Sequence, residues 1–258
     1  MQNRTVFLIN VMITVLAIVA SAFGAFGEIY KDHHWAASQL KGQDIVSIII
    51  ALVFLFSLFL PQPKAKFIKT GLLGYFIYTY VTYAFGPALN EMLLVYIAIL
   101  SLSIFAFVKS LMQIDEIEIV PYNNVWFVVC AVYLILFGVM LSVLWLGDIF
   151  GNLKGEPLLA NPTGEPLLEV YVLDLGFVIP AFFIGSVMML RKKVVGFIVT
   201  AIMLIKSTTM GFALIGMTIA SFVFGYGLEM FLVYLWGILG IVGLILTLLF
   251  LIKLKVSV

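Results

Sequence analysis

The sequence predicts an all-α protein, a polytopic transmembrane helical bundle of eight spans. Of its 258 residues, 64% are hydrophobic and only 10% charged, against about half apolar and a quarter charged in soluble domains. Cutting the chain at its charged, Pro and Gly clusters leaves eight apolar runs, each near the roughly 20 residues that a membrane helix requires. Lys and Arg then concentrate in alternate connections, which an even number of spans places on one side. Residues 1–258 are read as a single integral membrane domain.

Span one, residues 5–27, follows Arg4. Small residues at 21–25 (SAFGA) resemble a cleavage region, but the apolar run exceeds the about 7 to 15 residues of a signal peptide, so the segment is expected to stay as a helix. Span two covers 42–60 and span three 70–88, joined by a stretch holding Lys64, Lys66 and Lys69. Span four, 91–112, follows a tight turn in FGPALNE (85–91), where Pro87 and Asn90 break the helix. Span five covers 124–146, after QIDEIEIVPYNN (113–124), whose brief alternation of apolar and acidic residues reads as an interfacial segment. Span six, 169–190, follows the longest connection, 148–169, which repeats GEPLL at 155–159 and 164–168 and reads as a turn-rich cap or lid. Spans seven and eight, 194–222 and 227–252, complete the chain.

Arg4, Lys64, Lys66, Lys69, Lys109, Arg191, Lys192, Lys193, Lys253 and Lys255 all fall on one side of this arrangement. The opposite connections hold most of the acidic residues and only Lys31, Lys41 and Lys154. The positive-inside rule therefore predicts cytoplasmic termini and a multi-pass protein of the inner, cytoplasmic membrane. Basic residues in small groups suit lipid headgroups and are too few for nucleic acid. Lone Cys130 excludes an internal disulfide, and two adjacent histidines exclude a multi-histidine haem or copper site. No P-loop, dinucleotide-binding glycine pattern, HExxH or nucleophile elbow is present. No cofactor is indicated, and an oligomer is neither required nor excluded.

An internal repeat emerges between residues 1–112 and 124–252. EMLLVY (91–96) opens span four and EMFLVY (229–234) opens span eight, with five of six residues identical. GQDIV (42–46) and VLDLG (172–176) place an Asp near the outer end of spans two and six. Gly71 and Gly86 share the spacing of Gly196 and Gly211. Both halves start on the same side, so the repeat is parallel, and parallel-repeat transporters bind their substrates between the halves.

Polar residues inside apolar spans carry the functional expectation. MLIKSTTMG (203–211) puts Lys206 with Ser207, Thr208 and Thr209 near the midplane of span seven, where an ionisable group costs at least about 2.5 to 3.5 kcal/mol and is usually paired or faces a cavity. Asp174, one turn inside the neighbouring helix, is the expected partner, and the hydroxyls are expected to bond one turn back or to face the same cavity. Tyr78 and Tyr80 of span three reach a similar depth, as core hydrogen-bonding groups or as a substrate-facing wall. Glu28, Asp44, Glu91, Asp148 and Glu229 mark an external acidic rim, together with Asp174. Asp32, His33 and His34 are the weak metal candidates there.

GQDIVSIIIA (42–51), residues 74–107 and residues 174–216 together resemble a widespread group of bacterial and archaeal polytopic membrane proteins of no assigned activity. The similar stretches contain Gln-Asp, Tyr-Thr-Tyr, Asp-Leu-Gly and a lysine. The resemblance implies an integral membrane fold and carries no reaction with it. The leading expectation is transport or permeation of a small solute or ion, with proton coupling through Asp174 and Lys206. Its alternatives are a membrane-embedded enzyme acting on a lipid or quinone-like substrate and a non-catalytic assembly or sensor subunit. The partners expected are the lipid bilayer and a small solute, ion or lipid.

Overall fold

The computed structural model describes residues 4–115, 117–156, 158 and 167–257. Among them the chain forms eight long helices: α1 (Arg4–Phe26), α2 (His34–Ser57), α3 (Ala65–Phe85), α4 (Leu93–Asp115), α5 (Val125–Asn152), α6 (Leu168–Leu190), α7 (Val194–Val223) and α8 (Met230–Lys253). Seven are long and apolar enough to cross a membrane. α3 is not among those seven, because its 21 residues include Lys66, Lys69 and several tyrosines. Most of the second GEPLL copy and Glu165 lie outside the described residues.

Burial runs opposite to that of a soluble protein. Phe105, Leu136, Val143, Phe177, Phe231 and Ile252 are exposed, while Asn10, Ser47, Asp44, Asp174, Thr200 and Ser207 are buried. A large apolar surface of this kind needs an apolar solvent. Polar side chains inside it bond within the protein instead: Thr14, Thr70, Ser142, Thr208, Thr209 and Thr218 each donate to the carbonyl four residues back, at 2.7 to 3.0 Å.

Two hydrophobic cores divide the bundle. One joins residues of α1 to α4, with Ile205 of α7 as a visitor; the other joins α5 to α8, with Phe67 of α3, Ile114 of α4, and Ile117 and Ile119 beyond it as visitors. Three contacts recur in each half: α1 lies on α2 and α4, and α4 on α3, while α5 lies on α6 and α8, and α8 on α7; α6 also packs closely on α7, whereas α2 and α3 scarcely meet. The halves meet where α7 packs on α2 and α3. α7 is accordingly the most buried of the seven apolar helices.

At the basic end, Lys64 donates to Ile252 O at 3.1 Å and Lys66 to Gln113 O at 3.0 Å. Both bonds satisfy carbonyls in the last turn of a helix, where cations are favourable. The expected interfacial segment after α4 forms a two-residue strand, β1 (Glu118–Ile119), antiparallel to β2 (Val256–Ser257) at the C-terminal end. At the acidic end, His33 Nδ1 accepts from Trp35 N at 3.3 Å, so α2 starts well before the expected residue 42. Asn90 Oδ1 accepts from Met92 N at 3.0 Å and starts α4.

α6 contains a departure that composition does not announce. Residues Asp174–Val178 form a π-helical turn in which Ile179 N donates to Asp174 O. Pro180 follows; it has no N–H for the carbonyl four residues earlier, and its ring crowds that turn. The wider turn relieves both effects and sets the orientation of Asp174.

Glycines permit the closest helix contacts. A Cβ on Gly211 of α7 would lie 2.6 Å from Gly240 Cα of α8, and Gly42 of α2 meets Gly216 of α7 backbone to backbone. Gly211→Leu is expected to destabilise the bundle by about 1 to 3 kcal/mol through overpacking. Gly147→Ala, whose new Cβ meets nothing within 4 Å, is expected to hold or slightly raise stability. Thermal unfolding of the two variants in detergent checks the contrast.

Candidate functional site

Between the halves lies a cavity of about 750 Å³, lined from α2, α3, α5, α7 and α8 and from the residues that open α6. Its upper wall includes Asp32, His33, Pro87, Glu169, Gly227 and Glu229, all at the acidic end of the bundle. Its deepest charged group is Lys206. From Lys206 to the basic end of α7 is 12 residues, about 18 Å, and to the acidic end 17 residues, about 25 Å, at 1.5 Å per residue. One turn below the lining residue Tyr75, α3 and α7 pack closely: a Cβ on Gly71 would lie 2.6 to 2.8 Å from the side chain of Ile205, the residue before Lys206.

Lys206 is 4% exposed. Its Nζ sits over the Tyr78 ring, 3.3 Å from the centroid, a cation–π contact strengthened by burial. Asp174 is fully buried, and its Oδ2 accepts from Trp145 Nε1 at 2.8 Å, while Oδ1 has no hydrogen-bond partner. The ion pairs within 4.0 Å among the described residues are Lys31–Glu91 and Lys41–Glu28, so Asp174 and Lys206 do not touch. Lys206 rests on the Tyr78 ring, and no hydrogen bond joins the Tyr78 hydroxyl to Asp174. The expected direct pair is thus replaced by two separate contacts, Lys206 on Tyr78 and Asp174 on Trp145.

The remaining expected residues divide. Ser207 and Thr208 donate to Leu204 O at 2.8 Å, and Thr208 also meets Thr247 of α8 at 3.2 Å. They join helices and do not line the cavity. Tyr80 faces away from Lys206; its hydroxyl points to Ala17 O of α1 at 3.5 Å, and its ring packs with Tyr83 and Tyr96. Two residues along a helix is a turn of about 200°, so Tyr78 and Tyr80 cannot share one wall. Tyr75, on the cavity side, bonds Ser47 at 2.6 Å.

The acidic rim does not converge. Glu28 pairs with Lys41 at 3.1 Å and Glu91 with Lys31 at 3.3 Å. Hydrogen bonding at its own backbone, and then Lys31, holds the Glu91 carboxyl below its usual range. Asp44 turns inward and accepts from the Tyr30 hydroxyl; burial, and then Asp44, pushes that phenol well up, so it remains the donor. Asp148 accepts from the Tyr171 hydroxyl at 3.2 Å. Only Glu229 of the rim lines the cavity. Asp32 Oδ1 accepts from Ala88 N at 2.8 Å and His33 caps α2; among the described residues no three His, Cys, Asp or Glu side chains are grouped as metal ligands.

Trp145, Glu169 and Tyr75 belong to the site or its support and were not expected there. A tryptophan about two turns from the acidic end of its helix reads as an interface anchor; its partner Asp174 opens the π-helical turn. Compared with known proteins, the chain matches no family model, no curated protein and no solved structure.

Trp145→Phe removes the one hydrogen bond to Asp174 Oδ2 and is expected to destabilise the protein by about 1 to 3 kcal/mol. Adding Asp174→Leu removes the stranded acceptor and is expected to recover part of that loss, giving a non-additive double-mutant cycle in detergent melts.

Proposed function

We propose that the chain is an eight-span protein of the inner membrane, with both termini cytoplasmic, that passes a small solute or ion across the bilayer through the cavity between its halves. One observation carries this reading: the cavity has Asp32, Glu169 and Glu229 in its wall at the acidic end and reaches inward to an ionisable group, Lys206. An ionisable residue at that depth is costly and marks solute or proton pathways in membrane proteins. A site reached from one side of the membrane is one state of an alternating-access cycle. Asp174 and Lys206 would be the proton-coupling groups.

The eight-span reading of α3 rests on its position. It packs between α4 and α7, and Lys64 and Lys66 at its start bond to the basic ends of α8 and α4. The contacts that recur in 1–112 and 124–252 support a tandem parallel repeat. No comparable observation favours a lipid- or quinone-processing enzyme.

Thiol accessibility tests the reading in a Cys130→Ala background. Thr218→Cys, on the cavity wall, is expected to react with a membrane-impermeant maleimide from the outer side at least tenfold faster than from the inner side. Ile202→Cys, one turn below Lys206 and buried in this state, is expected to react from the cytoplasmic side when the floor opens. An Ile202→Cys protein that never reacts from that side overturns transport and leaves a closed pocket.

A further inference from the structure

The unsatisfied polar groups of the cavity stand at two levels and have opposite requirements. At the floor, the Lys206 ammonium has three N–H donors. It rests on a π face, without a hydrogen-bond acceptor or carboxylate in contact among the described residues. Asp174 offsets part of its charge but supplies none of its hydrogen bonds, since it does not reach Nζ. A buried ammonium in that state gains from any acceptor that enters the cavity.

At the mouth, the requirement is reversed. Asp32, Glu169 and Glu229 line it, and Lys206 is the only Lys or Arg among the lining residues. Asp32 Oδ2 is buried without a hydrogen-bond partner. A simple anion would meet repulsion on entry, and a simple cation would leave Lys206 as it is. Between the two levels the wall is mostly apolar and aromatic, with Trp145, Met210 and Leu214, and carries Gln43, Thr79, Thr82 and Thr218 as polar side chains.

We infer that the solute taken by this cavity is a zwitterion with its charges at opposite ends: a carboxylate held by Lys206, an ammonium held by Asp32 and Glu169, and an apolar chain between. The inference rests on the proposed reading of the cavity as a solute site. Its volume of about 750 Å³ lies within the 300 to 1,000 Å³ of small-molecule sites. The spacing follows from α3. Glu169 lies against Gly86, eight residues beyond Tyr78, or about 12 Å along the helix. Allowing a contact of about 3 Å at each end, the ligand's charges stand about 6 to 12 Å apart. An α-amino acid is too short for this, and an extended ω-amino acid fits.

Three probes with a common chain separate the possibilities: 8-aminooctanoate, octanoate and octylamine, each titrated calorimetrically onto the protein in lipid nanodiscs and corrected against empty discs. 8-Aminooctanoate is expected to bind at least tenfold tighter than either relative. Lys206→Met is expected to weaken 8-aminooctanoate at least tenfold and leave octylamine within twofold. Glu169→Gln, at a partly exposed position, is expected to weaken 8-aminooctanoate and octylamine and spare octanoate, so the inference stays testable if Lys206→Met does not fold. Equal affinity for octylamine and 8-aminooctanoate, unchanged binding in both variants, or no binding of any probe overturns it. Outer-side labelling of Thr218→Cys that persists in that case keeps the transport reading; loss of that labelling as well would end both.

Discussion

The bilayer core offers no hydrogen bonds, so each polar group carried into it must find a partner within the protein or face a cavity. α7 is where that constraint acts most strongly. It holds Lys206, Ser207, Thr208 and Thr209 in consecutive positions, all buried, and it is the helix on which α2, α3, α6 and α8 all pack. Small residues make that density of neighbours sterically feasible: Gly211 admits α8, Gly216 admits α2, and Gly71 of α3 admits Ile205. The three hydroxyls are satisfied by carbonyls one turn back. Lys206 has no such local solution, and a cavity stands at its ammonium.

Much of this was legible in the sequence, for a simple reason. Hydrocarbon thickness sets the length of a span, and the distribution of Lys and Arg sets its orientation, so eight apolar runs and a basic end can be read from composition alone. The observed helices match those runs closely except at α2 and α5, which extend past the apolar stretch at the acidic end, and at α3, which starts five residues earlier at the basic end and is not apolar enough to count among the seven spans. The depth of Lys206 was readable for the same reason. The contact between β1 and β2 was not, because two-residue strands leave no periodic signal.

The site was only half readable, because depth is a one-dimensional property and a cavity is not. Counting residues placed Tyr78 and Tyr80 at one level, while helix periodicity sends Tyr80 to α1 and Tyr78 to Lys206. Carboxylates at helix ends were likewise grouped by height, although Glu28 and Glu91 pair with lysines beside them and Asp44 turns inward. Trp145 reaches Asp174 through a turn widened ahead of Pro180. Gly176 and Pro180 are the only local signal for that turn, and neither specifies which residue it will reorient.

The two buried aspartates show what the paired halves do and do not share. Asp44 and Asp174 each sit on the second helix of their half, fully buried, with Oδ2 bonded to an aromatic donor and Oδ1 unpartnered. Their partners differ in consequence. Tyr30 belongs to the connection beside Asp44 and closes that carboxylate into an aromatic cluster with Tyr80, Tyr83 and Tyr96. Asp174 is bonded to Trp145, while Lys206 of the same half rests on Tyr78 of the other. One carboxylate is thus enclosed with aromatic residues of its own half, and the other, equally buried, belongs to the half whose lysine lines the cavity. Movement of α3 against α7 would change the surroundings of Asp174 and Lys206 together, because Tyr78 and Gly71 lie on the same helix, whereas Asp44 and Tyr30 would keep their bond to each other.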